Sequence, residues 1–264
     1  YNTDLSRSLM ESYLIKKDGK AVPFSSIDNY KTKTFMETFE DRDPRYRQTF
    51  MYPGYIRPGD AKPFIPNLNL GGYTQIKFVP QDPQQNQWGC SYNDLPLMRL
   101  GEILLIYAEA KAELGTLTQA DLDKSINQLR DRVGMPHMVL SELTIDPTLE
   151  QQYPNVNGNL KNAILEIRRE RRVELACEGF RKDDILRWKV GKLLEMPQGV
   201  YIAELNTVFD VTGDGVTDVG VFLNKESVKP IYKKKVLYYL EEQGEKTSIS
   251  LSEGDHGYII LTND

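Results

Sequence analysis

Apolar positions divide this chain into three stretches of different character, and the middle one, 96–195, carries the clearest helical spacing. A first helix is predicted over 97–114. Ile103, Leu104, Leu105 and Ile106 make it apolar on nearly every side, so it is expected to lie buried at the centre. Thr118 with Asp121 reads as a capping box opening a second helix. Its Leu122, Ile126, Leu129 and Val133 keep helical spacing until Gly134 and Pro136 end it. Beyond the polar loop 141–159, a third helix is predicted near Leu160 to Glu178 with Gly179 as its C-cap. A fourth starts at once at Arg181, with Asp183 and Asp184 in its first turn, and runs to Leu194.

The flanks read differently. Residues 1–95 are rich in Pro, Gly, Tyr and Asn and show little periodicity beyond short helices over 5–14 and 35–39, the latter stopped at Asp43-Pro44. Lys16-Lys-Asp-Gly-Lys20 is a turn signal. After Pro197 the pattern turns to strands: 207–211 and 216–223 flank the turn Thr212-Gly-Asp-Gly215, and a final hairpin joins 248–251 to 258–261. The expected architecture is therefore one mainly α region. A loop-rich segment (1–95) precedes the helical core (96–195), and an end containing short β-hairpins (196–264) follows it. The first two core helices, joined at Gly115, match one tetratricopeptide-type unit, without a second copy visible by self-similarity.

Charge and composition narrow the function classes. The 264 residues are 40% apolar and 27% charged with a net charge of −5, which argues against a nucleic-acid binder, whose footprint is a basic stripe. No segment is long and apolar enough to span a bilayer. Cys90 and Cys177 are far apart and the histidines are His137 and His256, so spacing defines no metal site, and two unbridged thiols are expected. Asp210, Asp214 and Asp218 fall at calcium-loop spacing with Thr212 and Gly215, but the twelfth position is Val221 instead of a bidentate acid, so a plain hairpin is preferred there. There is no Gly-x-Ser-x-Gly elbow, no phosphate loop and no histidine beside a nucleophile. No cofactor is implied.

Two segments stand out chemically. In the run 167–188, Arg171 falls on the apolar stripe Leu160, Ile164, Ile167 and Leu175, beside Glu174 and Glu178. A guanidinium on a buried face needs carboxylates, so Arg171, Glu174, Glu178 and Arg181 are expected to form a structural charge network. Trp188, flanked by Ile185 and Leu186, is expected in the core. The second segment, Gln84 to Asn93, places Trp88 and Tyr92 among side-chain amides that include Asn86 and Asn93. Trp88 either pins this loop to the central helix or, with Tyr92, offers a flat face to a ligand while the amides meet its hydroxyls.

The run Glu170-Arg-Arg-x-Glu-Leu-x-x-Glu-Gly-x-Arg-x-x-Asp-x-x-Arg-Trp188 resembles the SusD-like (RagB/SusD) lipoproteins of Bacteroidetes. So do Pro96-Leu-Met-Arg-Leu-Gly-Glu102 with the helix that follows, Ile126-Asn-Gln-Leu-Arg-Asp-Arg-Val-Gly134, Leu9 to Leu14, and Asp43-Pro-Arg45. The resemblance covers roughly residues 1 to 225. It implies a helical SusD-like fold. It also implies non-catalytic oligosaccharide or polysaccharide binding at the outer-membrane surface, with nutrient uptake through a SusC-like TonB-dependent transporter. Family members look like longer chains anchored by an N-terminal lipidated cysteine, so this chain is expected to be an interior or C-terminal portion. The competing readings are a helical-repeat interaction scaffold and a glycan-processing enzyme.

Overall fold

The computed structural model describes residues 4–86, 89–94, 96–241 and 248–261. The helices are α1 (Arg7–Ser12), α2 (Pro44–Thr49), α3 (Leu100–Glu113), α4 (Gln119–Asp123), α5 (Ile126–Val133), α6 (Pro147–Gln152), α7 (Lys161–Glu174) and α8 (Arg181–Arg187). The strands are β1 (Ile15–Lys17), β2 (Lys20–Val22), β3 (Gln198–Ile202), β4 (Thr207–Phe209), β5 (Val219–Phe222), β6 (Val236–Tyr239), β7 (Ser250–Leu251) and β8 (Gly257–Ile260). The chain is helix-rich with small sheets.

Two apolar cores lie on either side of α7. The first gathers the N-terminal aromatics, including Tyr13, Phe39, Tyr46, Phe50 and Tyr73, with Val200, Val219 and Ile259 from the strands. Its rings meet face to face and edge to face, Phe39 on Tyr46 at 4.3 Å between centroids and Phe50 on Tyr73 at 5.9 Å. The second gathers Leu105, Leu122, Ile126, Leu129, Tyr153, Ile164, Ile167 and Trp188. α7 borders both, giving Val173 to the first core and Ala163, Ile164, Leu165 and Ile167 to the second. The N-terminal aromatics thus form a packed core, although their stretch of sequence shows little periodicity.

Local chemistry explains most boundaries. α2 starts where Asp43 accepts from the Arg45 N–H and Pro44 takes the first turn. α4 opens with the Thr118–Asp121 capping box, each side chain accepting from the other residue's backbone N–H. The second predicted helix is broken in two, because Ser125 leaves helical geometry and donates its hydroxyl to the Asp121 carbonyl at 2.6 Å. The third stops at Glu174, four residues before the sequence expectation. Lys77 Nζ donates to the Ala176 carbonyl at 2.8 Å and Arg99 Nη2 to the Glu174 carbonyl at 2.8 Å, so cations take the carbonyls that a further turn of helix would use. Cys177 and Gly179 then adopt left-handed φ values of 65° and 88° to redirect the chain into α8.

One expectation is corrected outright. α3 is not buried on all sides: Leu105, Ala108 and Ala112 reach the second core, whereas Leu100, Ile103 and Ile106 are 68%, 44% and 48% exposed. Its partners, α7, α4 and α5, cover one face only, and apolar sequence all round a helix cannot by itself supply a partner for the other.

In the C-terminal part, β4 and β5 pair antiparallel around the Thr212–Gly215 turn, and β7 and β8 form the last hairpin. Two further pairings came from no local signal: β6 joins β5 in parallel, and β8 also pairs β3. β3 is further tied to the N-terminal region, since the Val200 N–H donates to the Gly71 carbonyl at 2.8 Å. That approach demands glycine at 199, where an added Cβ would sit 2.3 Å from the Gly71 oxygen and 2.6 Å from its Cα. Gly199→Ala is therefore expected to destabilise the chain by about 2 to 4 kcal/mol in urea unfolding, because two backbones must separate. Gly191→Ala, with open space around it, is the matched control and should change stability by under about 1 kcal/mol.

Candidate functional site

The C-terminal half of α7 carries carboxylates one turn apart, and cations from four other places in the chain converge on them. Arg45, at the start of α2, donates Nη1 to Glu170 Oε1 at 2.7 Å and to Glu174 Oε2 at 2.9 Å, while Asp43 holds its other edge at 2.7 and 3.0 Å. Arg130 of α5 reaches the second oxygen of Glu170 at 3.0 Å. Arg132 straddles both oxygens of Glu174 at 2.9 and 2.8 Å. Arg99, just before α3, bonds Glu174 at 2.7 Å and Glu178 at 2.6 and 2.9 Å, and Lys77 meets Glu178 at 2.6 Å.

Such enclosure shifts the carboxyls. Burial alone would raise Glu174, but the Arg99 hydrogen bond and the charges of Arg45 and Arg132 outweigh it and hold the group down to about 2. Glu170 and Glu178 are held below the ordinary range in the same way, by Arg45 and Arg130 and by Arg99 and Lys77 respectively. Arg45 is lifted well above its ordinary value: burial opposes its charge, and Glu170 and Asp43 overcome that.

The four residues expected to form one network lie in three settings. Glu174 and Glu178 share the cluster just described. Arg171, 6% exposed, pairs instead with Asp184 of α8, whose oxygens accept from its Nε at 2.9 and 3.0 Å. Arg181 donates to the Tyr153 hydroxyl at 3.1 Å. Successive helical positions point in different directions, so Arg171 looks toward α8 while Glu170 and Glu174 look toward α2 and α5. A second cluster follows from the α8 side, where Arg187 grips Glu109 through two nitrogens at 2.5 and 2.8 Å and Trp188 Nε1 donates to it at 2.9 Å. Trp188 is 6% exposed, in the core.

A cavity of about 320 Å³ opens over the first cluster. Gln48, Lys77, Arg99, Arg132, Glu174 and Glu178 give it a polar lining, with Phe78 and Pro96 beside them. Phe78 is held at a left-handed φ of 70°, with Lys77 Nζ 5.5 Å from its ring centre. The Asn93 side-chain amide donates to the Phe78 carbonyl, tying the amide-rich loop to the rim. Tyr92 beside it is 83% exposed, with its N–H on Gln85 Oε1 at 3.4 Å. Asn86 ends the short helical turn Pro83–Asn86, and Trp88 lies outside the described residues. Lys77, Gln48, Arg99 and Arg132 were missed as lining residues, although Arg99 and Arg132 stand in the sequence blocks quoted above.

The acidic turn is built for itself. Asp210 accepts from the N–H groups of Thr212, Gly213 and Gly215, at 2.9, 2.6 and 2.8 Å, and Asp218 from those of Val211 and Thr212, both at 3.1 Å. Asp214 accepts from the Val216 N–H at 2.8 Å. These backbone bonds hold the turn closed, and no group of three or more metal-ligating side chains occurs among the described residues. Cys90 and Cys177 are not bridged.

This architecture, a helix-rich chain whose motif charges meet around α7, agrees with the comparisons to known proteins. The sequence model of the SusD family matches residues 2–248, and the chain belongs to that family. The SusD-like protein P2 of Formosa agariphila is 36% identical over 110 residues, covering 42% of this chain and 20% of that protein. A SusD-like carbohydrate binding protein from Bacteroides fragilis superposes with a TM-score of 0.51 at 24% identity. A second SusD-like protein from the same organism gives 0.54 at 21%. Each of these two structures matches 74% of this chain, which spans 38% of their length.

The depressed Glu174 carboxyl makes a prediction. Its folded value of about 2 lies below the ordinary 4.5, so its stabilisation is complete above 4.5 and is lost as pH falls through 2. Urea unfolding of the wild type and Glu174→Gln should differ by roughly 2 to 4 kcal/mol at pH 7. The gap should close progressively between about pH 4.5 and pH 2; a gap independent of pH would show that the charge of Glu174 contributes nothing.

Proposed function

We propose that this chain is the part of a surface glycan-binding protein that presents the rim around Phe78, Tyr92 and Asn93, and that it captures oligosaccharides without cleaving them. The observation that carries this reading is the exposed Tyr92 ring, on a loop that Asn93 ties to Phe78, beside a cavity lined by amide and charged groups. Pyranose rings present C–H faces that pack on aromatic faces, and their hydroxyls need directional donors and acceptors; the rim offers both. Family membership and the carbohydrate-binding description of one B. fragilis structure support the same class of ligand. Trp88 and Asn86 belong to this proposed site, Trp88 as a second stacking face.

The absence of catalysis, the placement at the outer-membrane surface and the hand-over to a SusC-like TonB-dependent transporter follow from the family as further parts of the proposal. No described helix is long and apolar enough to cross a membrane. The tetratricopeptide-type pairing of α3 with α4 and α5 also belongs here. It is supported by the open apolar face of α3, where stacked units of that kind receive their neighbours. The same face favours the second reading, a helical interaction scaffold without sugar binding.

Calorimetric titration of a neutral oligosaccharide identified on a glycan array distinguishes the two. Tyr92→Ala is expected to weaken binding about fivefold, the equivalent of roughly 1 kcal/mol for one lost aromatic contact, with unchanged thermal unfolding because the ring is exposed. Unchanged affinity removes Tyr92 from the site, and an array without any glycan ligand favours the scaffold.

A further inference from the structure

Of the arginines on α7 and α8, four are matched to carboxylates: Arg168 to Glu113, Arg169 to Asp146 and Glu166, Arg171 to Asp184, and Arg187 to Glu109 and Asp184. Arg172 and Arg181 are not. Among the described residues Arg172 donates only to hydroxyls, Ser12 Oγ at 3.1 Å and Ser8 Oγ at 2.8 Å, and Arg181 only to the Tyr153 hydroxyl. Both guanidiniums line two adjoining hollows of about 340 and 550 Å³ between α1, the start of α8 and the segment 193–198. Ser6 lines both hollows too, and Ser8 the larger.

A third cation faces the smaller hollow. Arg171 is 6% exposed, and its Nη1 has no hydrogen-bond partner among the described residues, although Asp184 holds its Nε. A buried donor left unmade is costly, and two guanidiniums that meet hydroxyls instead of carboxylates lie beside it. Burial, followed by the neighbouring charge of Arg181, pulls Arg172 down to about 10. Of the acids nearby, Glu11 is engaged by Arg7 at 2.8 Å, Asp184 is shared between Arg171 and Arg187, Glu195 is exposed, and Asp4 lines the smaller hollow, where burial raises it to about 6.

We propose that this hollow binds an oxyanion, the carboxylate or sulfate ester of an acidic saccharide, gripped by Arg172 and Arg181 with Ser6 and Ser8 beside them. Guanidinium forks match the planar or tetrahedral oxygens of such groups, and the group would also offer an acceptor to Arg171 Nη1. The volume leaves room for the sugar ring that carries the charge. The saccharide part rests on the glycan reading above; the anion part does not.

The test is titration of the full chain, followed by NMR and calorimetry, with sodium sulfate, glucuronate and glucose. Glucuronate and sulfate are expected to perturb the amides of 6–12 and 180–185, whereas glucose leaves them unmoved. Arg181→Gln, at a partly exposed position, should weaken glucuronate at least about tenfold, as should Arg172→Gln if it folds, while Lys62→Gln, an exposed charge-matched control, should not. Failure of both anions to bind, or equal affinity in Arg181→Gln, overturns the proposal. Sulfate binding that depends on Arg181 without any glucuronate binding overturns its saccharide part. Neutral-glycan binding sensitive to Tyr92→Ala would survive either failure, so the two readings fall separately.

Discussion

The salt bridges that Arg45 makes to Glu170 and Glu174 are what the rest of this structure depends on. Arg45 belongs to the aromatic N-terminal core through α2, and the two glutamates belong to the helix that borders the second core. All three side chains are almost fully buried, at 6%, 2% and 2% exposure. Charges so enclosed are tolerable only because every one has several partners: Asp43 and two glutamates around Arg45, Arg130 on Glu170, Arg99 and Arg132 on Glu174. Apolar packing could join two cores in many registers. A set of forked hydrogen bonds permits few, and in this chain it fixes how α2, α5, α7 and the entry to α3 meet.

The proposed binding rim inherits its position from that cluster. Arg99 takes the Glu174 carbonyl at the end of α7, Lys77 takes that of Ala176 just beyond it, and both bind Glu178, so Phe78, next to Lys77, and Pro96, three residues before Arg99, are placed by the same charges. Asn93 then hangs the amide-rich loop on Phe78, and Tyr92 is carried outward with it. A polar wall whose cations are fixed by carboxylates stays rigid, so the donors and acceptors it presents are held in place for a hydroxyl-rich ligand. Around Arg172 and Arg181 the situation is the reverse, since donors there outnumber the acceptors that the described residues supply.

Much of this was legible in the sequence, and what escaped has a physical reason. The Thr118–Asp121 capping box, the Gly134 cap, the Thr212–Gly215 hairpin and the burial of Arg171 and Trp188 follow from short-range chemistry that acts within one or two turns. The partners of the charges did not, because Arg45 and Glu170 are 125 positions apart and helical spacing says which face a residue is on without saying what meets it. The exposed face of α3 escaped for a related reason: apolar residues at Leu100, Ile103 and Ile106 state a need for a partner and cannot state whether one is in reach. The pairings of β3 with β8 and β5 with β6 depend on long-range register, which no local pattern encodes.

A double-mutant cycle on Arg45→Ala and Glu170→Ala, followed by urea unfolding at pH 7, tests the central claim most directly. If the buried cluster joins the two cores, each single change should cost about 3 to 5 kcal/mol by stranding its partners, and the double mutant should be less destabilised than the sum by at least about 2 kcal/mol. Costs that add to within about 0.5 kcal/mol would contradict it, leaving apolar packing alone to hold α2 against α7.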